Sequence, residues 1–542
     1  MNQHLLIRFI KEHKWLVIIV FLASFLRLYH LSSTPISLNH DETAIGYNAY
    51  ALLKTGADEH GSFLPLSLKS FGDWKLPFYP VVTIVSVLFF GLSEFAVRLP
   101  SALAGIVGIV LTYLISQELF KQKRLSLMIA LLYALSPWGI YFSRIAYETN
   151  LALSIFLLGL YLFLLFLKKR LGKYLIVTAF LFGITLFTYH AYVLFMPLFV
   201  ISLIALYRKH FAVSSTSITA ATIFLLFVLG SVISTQQGSL QKVSSVSIIN
   251  DKNVIYQRAE KFRGDKAQKN PFVERILHTK FSAVPYQITQ NYVAAFSPAF
   301  LFDKGGEKLL HTTGEFGNLY LLDGLLLIIG VAAFFWKREP AWKVLAIWLF
   351  IGMIPSAITR DAPSSTRLFI ILPVLLIFAG YGAFTLLKFV RGKNIFKEFI
   401  VAGIGILYLI NVIYFLDIYF THMNTHRAIF LHYGYKQVVE LTKRYPQYTV
   451  VMKGPENFPY VSFLFYEKYD PILFRKEVLY YPPTAEGFIF VKQFGKYRFV
   501  DKIDYTNLKE KTIYIDNPNL THGAHVIMLP NNEPIFGYTV VN

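Results

Sequence analysis

Cysteine is absent from all 542 residues of the chain. Its absence excludes disulfide bonds, thiolate catalysis and thiolate-bound metals. Charged residues are also scarce, at 15% of the chain, whereas 55% of the residues are hydrophobic. Because apolar runs of nearly 20 residues recur along the sequence, a soluble globular protein is excluded and an α-helical polytopic membrane protein is predicted.

Acidic residues are few relative to basic ones, 32 against 52, which gives a formal net charge of +20. The basic residues stand in short clusters between the apolar runs, as the positive-inside rule describes, so anionic membrane lipids rather than nucleic acid are the predicted partner. No cleavage site of small residues follows the apolar core Leu16–Leu26. This segment is therefore interpreted as a retained first span with a cytoplasmic start.

The basic clusters also decide the predicted topology. Clusters such as Lys121–Arg124 and Lys168–Lys173 all fall in the cytoplasm only if the apolar run Phe78–Phe95 does not cross the membrane. This choice predicts about eleven spans, in a cell membrane, with the active site and the C-terminal domain outside. The spans are Trp15–Leu31, Leu99–Leu119, Leu125–Tyr141, Leu151–Leu167, Tyr174–Phe187, Val193–Tyr207, Ser217–Ser234, Leu321–Trp336, Val344–Ile358, Leu368–Leu387 and Phe399–Phe415.

The polar stretch Ser32–Pro77 lies between the first span and the others, within a first outer loop of residues 32–98. It contains Asn39-His40-Asp41-Glu42, then a short predicted helix, Ala44–Leu53, and later Asp73-Trp74-Lys75-Leu76-Pro77. Carboxylates act as general bases or bind cations, and lysine and arginine bind phosphate. The predicted topology places on one outer side the charged set Asp41, Asp73, Lys75, Glu148, His190, Arg360 and Arg367. This set favours group transfer from a lipid-linked phosphate.

The composition changes near Tyr419, where short strands and helices are predicted to form an extracytoplasmic α/β domain. The predicted strands are Tyr448–Met452, Gly487–Val491, Lys511–Ile515, Val526–Leu529 and Ile535–Val541, and the predicted helices are Tyr435–Tyr445 and Tyr460–Lys468. This domain has no glycine-rich phosphate loop and no nucleophile elbow. The predicted division is therefore a transmembrane catalytic domain, 1–417, with a large outer loop at 236–317, and an outer lid or recognition domain, 418–542.

Several motifs resemble the GT-C superfamily of polyprenyl-phosphate-dependent glycosyltransferases, and within it family 39, the protein O-mannosyltransferases and lipid A aminoarabinose transferases. His40-Asp41-Glu42 is similar to the Asp-Glu motif of their first outer loop, and Asp73–Pro77 to their acidic-x-Lys-Pro-Pro segment, although Leu76 replaces the first proline. Further similar segments are Arg98–Gly105, Ser143–Glu148, Ser297–Phe302 and Pro355–Pro363. The likeness covers residues 15–415, and the order of the motifs carries it.

The resemblance implies an inverting hexosyl or pentosyl transferase with a polyprenyl-phosphate sugar donor and a glycan, lipid or protein acceptor. Asp41 would be the general base, and Lys75 would hold the lipid phosphate with Arg360 or Arg367. Glu148 would orient the acceptor or bind a cation. Candidate catalytic residues are Asp41, Glu42 and Glu148, and candidate phosphate-binding residues are Asp73, Lys75, Arg144, His190, Arg360 and Arg367.

Some assignments stay open. Glu42 is either catalytic or a cap of the helix that follows, and relatives often have lysine where His190 stands. His311 either faces the site or binds metal, but no second histidine lies nearby at ligand spacing, so a divalent cation is an alternative and no cofactor is assigned. An O-antigen ligase or polymerase is the runner-up enzyme. A transporter or flippase would place its charges at mid-bilayer on broken helices rather than at one face.

Overall fold

The computed structural model describes residues 3–211, 213–235, 246–249, 253, 280–390, 395–484, 487–518 and 525–542. Helices make up nearly all of the membrane region, as the long apolar runs predict. They are α1 (Gln3–Leu28), α2 (His40–Thr55), α3 (Phe78–Phe90), α4 (Glu94–Phe120), α5 (Lys123–Leu135), α6 (Pro137–Ser143), α7 (Glu148–Lys169), α8 (Gly172–Thr185), α9 (His190–Leu206), α10 (Ser215–Ser234), α11 (Lys280–Ala294), α12 (Leu321–Trp336), α13 (Trp342–Ala357), α14 (Leu372–Val390) and α15 (Ile395–Asp417).

Within the described residues, five helices are long and apolar enough to cross a membrane, or six if the bent pair α5–α6 is one span. Five shorter apolar helices of 10–17 residues accompany them, α3 among them. These helices confirm the predicted multi-pass helical architecture. The count of eleven crossings and the non-crossing α3 stay predictions. In the predicted outer loop 236–317, most of the part that precedes residue 280 lies outside the described residues.

The predicted span Leu125–Tyr141 is broken, because α5 and α6 meet at an angle of 58°. Pro137 occupies the first turn of α6 and lacks the N–H that would continue α5, so carbonyl groups at the break need other donors. The buried guanidinium of Arg27 supplies them, donating to the carbonyl oxygens of Ala134 at 3.1 Å and Tyr133 at 3.2 Å. The bend therefore has a dedicated partner on α1.

The first outer loop is tied to the helices by Arg98, which is fully buried in α4. Its Nη1 donates to the carbonyl of Pro35 at 2.7 Å and its Nη2 to that of Ser37 at 2.6 Å. A buried guanidinium that meets several acceptors fixes the backbone carrying them. The chain between α1 and α2 is thus held close to the start of α4.

A two-stranded hairpin inside the polar stretch was not predicted. Strands β1 (Leu68–Ser70) and β2 (Asp73–Lys75) pair antiparallel around the turn Phe71-Gly72, whose φ angles are +44° and +84°. Two positive φ values favour glycine and match the twist of a tight hairpin. A Cβ on Gly72 would also lie 2.4 Å from the carbonyl oxygen of Gly487, so the turn presses against the outer domain.

The outer domain is a mixed seven-stranded sheet flanked by α16 (Tyr435–Lys443), α17 (Pro459–Glu467) and α18 (Pro471–Glu477). Its strands are β3 (Thr449–Lys453), β4 (Leu479–Tyr480), β5 (Val491–Phe494), β6 (Tyr497–Val500), β7 (Thr512–Asp516), β8 (His525–Met528) and β9 (Pro534–Val541). Their order is β4-β5-β6-β3-β7-β9-β8, with β3 parallel to both β6 and β7. The predicted C-terminal α/β domain is confirmed, and its boundary near residue 418 stays a prediction.

One predicted strand, Gly487–Val491, is wrong in its bounds, because regular pairing begins only at Val491. The preceding residues contact the hairpin turn instead: the backbone N–H of Ile489 donates to the carbonyl of Phe71 at 3.2 Å. The segment therefore connects the outer domain to the first loop.

Helix α2 packs between the outer domain and the membrane helices. Ala44, Ile45 and Tyr47 share one hydrophobic core with Val97 of α4 and with residues of the outer sheet. This shared core fixes the position of the residues at the N-terminus of α2.

Candidate active site

Asp41 lies in the first turn of α2, where the helix dipole favours a negative charge. Asn39 caps this helix, since its side chain accepts from the N–H of Glu42 at 2.9 Å. The Asp41 side chain is 54% exposed. A capped helix therefore presents this carboxylate outward.

Glu42 points the other way. It is 1% exposed and accepts two hydrogen bonds from Arg98, from Nε at 3.0 Å and from Nη2 at 3.3 Å. It also accepts from the backbone N–H of Asn39 at 3.2 Å and of Ala146 at 3.0 Å. Glu42 thus completes the capping box of α2 and neutralises Arg98, so its position matches the capping alternative.

Lys75 ends the hairpin strand β2 and is only 4% exposed. Its Nζ lies 2.5 Å from Oδ1 of Asp41 and 3.2 Å from Oδ2 of Asp73, and 4.8 Å from the centre of the Phe71 ring. Burial lowers the pKa of Lys75, but Asp41, Asp73 and Glu148 outweigh burial and raise it above the ordinary value. Lys75 therefore stays charged and fixes the Asp41 carboxylate.

Two further outer residues join this centre. Glu148 begins α7 and lies in the lining of the same cavity. His190 begins α9, and its Nε2 lies 3.1 Å from the carbonyl oxygen of Trp74, within hydrogen-bonding distance of the hairpin. Residues from three distant parts of the sequence are thus brought together around β2.

A second charged group lines the same cavity. Asp361 pairs with Arg367, from Nη1 to Oδ1 at 2.6 Å, and with Lys308, from Nζ to Oδ2 at 3.0 Å. Partial burial raises the pKa of Asp361, but the two cations outweigh it and hold that pKa well below its usual range. The group carries two positive charges against one negative charge.

Beside this group, His311 and Tyr147 form an aromatic wall, with ring centroids 5.5 Å apart. Burial and the charge of Lys308 lower the pKa of His311 from 6.5 to about 4, so its ring is neutral near pH 7. Among the described residues, no group of three or more histidine, aspartate or glutamate side chains is arranged to hold a metal ion.

The groups enclose a cavity of about 350 Å³. Six of the nine predicted site residues line it: Asp41, Asp73, Lys75, Glu148, His190 and Arg367. Lining residues that the predicted site lacked include Tyr147, Tyr189, Lys308 and Asp361, and the lining also contains His311, for which the sequence left a place at the site open. Asp361 directly follows a predicted site residue in the segment Pro355–Pro363, whereas nothing in the sequence around Lys308 distinguishes it from other loop lysines.

Two predicted arginines lie outside this lining. Arg144 is fully buried, donates to the carbonyls of Leu26 and Thr34, and lies 4.8 Å from the ring centre of Phe420. Arg360 donates from Nε to the carbonyl of Ser247 at 3.3 Å. Both side chains hold backbone segments in place, so their positions do not favour direct contact with a ligand in the cavity.

An apolar groove adjoins the cavity. It encloses about 460 Å³ and is lined by Leu66, Pro77, Phe78, Val81, Phe180, Ile184, Phe187, Leu226 and Phe227. The backbone N–H of Phe78 donates to the carbonyl of Phe187 at 3.1 Å. Leu76 and Thr188, next in sequence to two groove residues, line the polar cavity. The polar and apolar spaces thus meet along this backbone contact.

Residues 75–233 match the family model of dolichyl-phosphate-mannose-protein mannosyltransferases. Among solved structures, ArnT from Cupriavidus metallidurans bound to undecaprenyl phosphate has a TM-score of 0.51 and 12% identity, over 97% of this chain and 98% of that chain. At this identity the likeness concerns the fold, and it confirms the predicted GT-C architecture. The family match and this fold together confirm the predicted resemblance to GT-C glycosyltransferases.

The oligosaccharyltransferase AglB from Archaeoglobus fulgidus, in complex with an inhibitory peptide and a dolichol-phosphate, has a TM-score of 0.48 and 13% identity. The alignment covers 84% of this chain and 64% of AglB, so this chain spans less than two thirds of that protein. No curated protein sequence matches the chain.

Proposed function

We propose that this chain, a membrane glycosyltransferase of GT-C type, moves a sugar from a polyprenyl-phosphate donor to an acceptor hydroxyl at the outer face of the cell membrane. One observation carries the proposal: a cavity lined by both carboxylates and cations lies beside an apolar groove between helices. Such a pair of spaces suits a ligand with a charged head and a hydrocarbon tail.

The lipid tail follows the groove, and the phosphate enters the cavity at the contact between Phe78 and Phe187. The groove walls are aromatic and aliphatic side chains of α3, α8 and α10. A polyprenyl tail already lies in the hydrocarbon of the bilayer, so an apolar groove between membrane helices accepts it without exposing it to water. The groove therefore selects for a long hydrocarbon carrier rather than for a soluble nucleotide sugar.

The charges divide the cavity into two halves. Three carboxylates, Asp41, Asp73 and Glu148, surround the one cation Lys75, whereas Lys308 and Arg367 share the single carboxylate Asp361. A phosphate is attracted to the half with a positive balance. We therefore assign the donor phosphate to Arg367 and Lys308, with Lys75 closing the site from the opposite half.

The reaction follows from this division. Asp41 takes the proton of the acceptor hydroxyl, and the acceptor oxygen attacks the anomeric carbon from the face opposite the phosphate. The bond between the anomeric carbon and the phosphate oxygen breaks, and its electron pair leaves on the lipid phosphate, whose charge Arg367 and Lys308 stabilise. Glu148 orients the acceptor, which is a hydroxyl of a glycan, a lipid or a protein.

Binding of undecaprenyl phosphate to the purified protein tests the assignment of the phosphate. Lys308→Met, Arg367→Met and Lys75→Met should each weaken binding by about 1.5–3 kcal/mol, the range for hydrogen bonds to charged groups. Lys304→Met is the matched control, since Lys304 is exposed in the same loop and does not line the cavity. If all three cavity variants bound undecaprenyl phosphate with wild-type affinity, the assignment of the phosphate to this cavity would be refuted.

Mass analysis of cell-envelope glycans, lipids and proteins tests the activity itself. Cells that lack the protein and cells with Asp41→Asn should both lose the same sugar mass increment, and the wild-type gene should restore it. Identical glycan, lipid and protein masses in all strains would refute a transferase function.

A further inference from the structure

His432 lies between α15 and α16, in the segment that connects the membrane helices to the outer sheet. Its Nδ1 accepts a hydrogen bond from the backbone N–H of His40 at 3.2 Å. The two imidazole rings also stack, with centroids 3.8 Å apart and planes 16° apart. His40 is the first residue of α2 and immediately precedes Asp41. A residue of the connecting segment therefore contacts the helix end that carries the proposed base.

The first N–H groups of a helix have no acceptor within the helix. Asn39 satisfies the N–H of Glu42 with its side chain and that of Thr43 with its carbonyl. The N–H of His40 is satisfied from outside the helix, by His432. We propose that His432 is a positioning residue for Asp41: its Nδ1 lone pair fixes the first turn of α2 and hence the direction of the carboxylate. The proposal rests on the role of Asp41 in the proposed function.

The surroundings hold His432 in this arrangement. Its backbone has φ +56°, and its carbonyl accepts from the hydroxyl of Ser37 at 3.5 Å. The His40 ring packs edge-to-face against Tyr435 of α16 and Phe458, which precedes α17, so the outer domain covers the histidine pair. The outer domain therefore contributes to the geometry of the base without lining the cavity.

The hydrogen bond requires Nδ1 to be unprotonated. The titratable groups that face His432 are His40 and Asp41 of α2 and Tyr435 of α16. Burial lowers the pKa of His432 and Asp41 opposes that shift, so the lone pair is available near pH 7. Protonation would place an N–H donor against the N–H of His40 and add a positive charge at the positive end of the helix dipole. The cap is then lost.

Two substitutions separate the lone pair from the ring. His432→Asn keeps an acceptor oxygen, and asparagine tolerates a positive φ. His432→Phe keeps a stacked ring and removes the acceptor. Phe should lower kcat about tenfold at neutral pH, where the wild-type Nδ1 is unprotonated, with little change in KM, because a positioned base contributes to the chemical step rather than to binding. His432→Asn should retain most of kcat. Its pH–rate profile should lack the part of the decline at acidic pH that protonation of His432 causes in the wild type.

Equal kcat values and pH profiles in wild type and His432→Phe would overturn the proposal. So would an Asn variant as slow as the Phe variant at equal thermal midpoint, since then the acceptor has no role of its own.

Amide hydrogen exchange over residues 38–46 tests the same inference without any sugar transfer. At pH 7.5 exchange should be several-fold faster in His432→Phe than in wild type or His432→Asn. As the pH falls through the lowered pKa of His432, the wild type should come to exchange faster than His432→Asn at the same pH, because its own cap becomes protonated. If the exchange rates differ as expected but no variant or wild type transfers sugar, the positioning contact stands and the proposed function fails. Equal exchange rates in all three proteins would show that the hydrogen bond between His432 and His40 does not hold the first turn of α2.

Discussion

At the scale of single residues, the neighbours Asp41 and Glu42 have opposite environments. Consecutive helical residues project about 100° apart, so one side chain reaches the cavity while the next reaches Arg98 inside the protein. The sequence resemblance favours Asp41 as the base and leaves Glu42 either catalytic or a helix cap, because the contact that distinguishes them comes from α4, more than fifty residues away. In the sequence, Arg98 begins one of the segments similar to the family, but nothing there indicates that it pairs with Glu42.

Asp41→Asn should abolish most turnover, because an amide keeps the shape of the carboxylate but cannot take a proton. The expected loss is on the order of 10²–10⁴ in kcat. The thermal midpoint and the affinity for undecaprenyl phosphate should stay near the wild-type values, since Asp41 is half exposed. Rates measured with radiolabelled lipid-linked sugar decide the outcome. A wild-type rate in Asp41→Asn with a dead but folded Glu42→Gln would move the base to Glu42.

Glu42→Gln should act on stability instead. It leaves the buried guanidinium of Arg98 without its neutralising charge, and removal of one partner of a buried ion pair costs about 3–5 kcal/mol. The amide retains part of the hydrogen bonding, so the lower end of that range is expected. Denaturant or thermal unfolding in detergent measures it, with Glu94→Gln as the control for a more exposed pair, Glu94 with Lys436. An unfolding free energy equal to that of the control would refute the structural role.

His311 predicts a pH dependence of stability. Its folded-state pKa is about 4 and its ordinary value is 6.5, so between these pH values the unfolded chain binds a proton that the folded protein does not. Wild-type stability should therefore fall as the pH drops from about 6.5 to about 4, by at most about 1.4 kcal/mol per pH unit from this group. His311→Asn should remove that slope, whereas His525→Asn, at an exposed histidine, should retain it. If the stability of His311→Asn fell with pH as steeply as that of the wild type, the lowered pKa of His311 would be contradicted.

At the scale of elements, periodicity and length located the helices, because a span of nearly 20 apolar residues has few alternatives. The short helix predicted at Ala44–Leu53 also follows from local sequence, although α2 begins earlier, at His40, and ends at Thr55. Two features do not. The β1–β2 hairpin has only three residues in each strand, and the backbone N–H of Ile489, just before β5, donates to its turn. Both depend on contact between segments about 400 residues apart, which local sequence cannot indicate.

Gly72→Ala should displace the hairpin that carries Lys75. The φ angle of +84° is strained for alanine, and the new Cβ would lie 2.4 Å from a backbone oxygen, which cannot move as a side chain does. We expect a loss of about 1–3 kcal/mol of stability and weaker binding of undecaprenyl phosphate. Gly403→Ala in α15 is the control, since its Cβ meets open space and alanine favours a helix by about 1 kcal/mol. If Gly72→Ala resembled the control in both measurements, the turn would not position Lys75.

At the scale of the whole molecule, the orientation in the membrane depends on summed charge rather than on any contact. Helix packing is the same whichever side of the membrane a loop faces, so the structure alone leaves the sidedness to the basic clusters. The joint core of α2 and the outer domain adds one constraint. Because they pack together, the first loop and the sheet must lie on the same side.

The predicted sidedness can be measured with single cysteines, since the chain has none of its own. Suitable exposed positions are Ser62 in the first loop, Gln122 in a basic cluster and Asp501 in the outer domain. With α3 not crossing, a membrane-impermeant thiol reagent should label Cys at positions 62 and 501 in intact cells, and at 122 only after permeabilisation. If α3 crossed, every later loop would invert, and positions 62 and 122 would be labelled while 501 was protected. That second pattern would also separate the first loop from the outer domain by a membrane, which their shared core forbids, so the labels test the topology and the packing of α2 together.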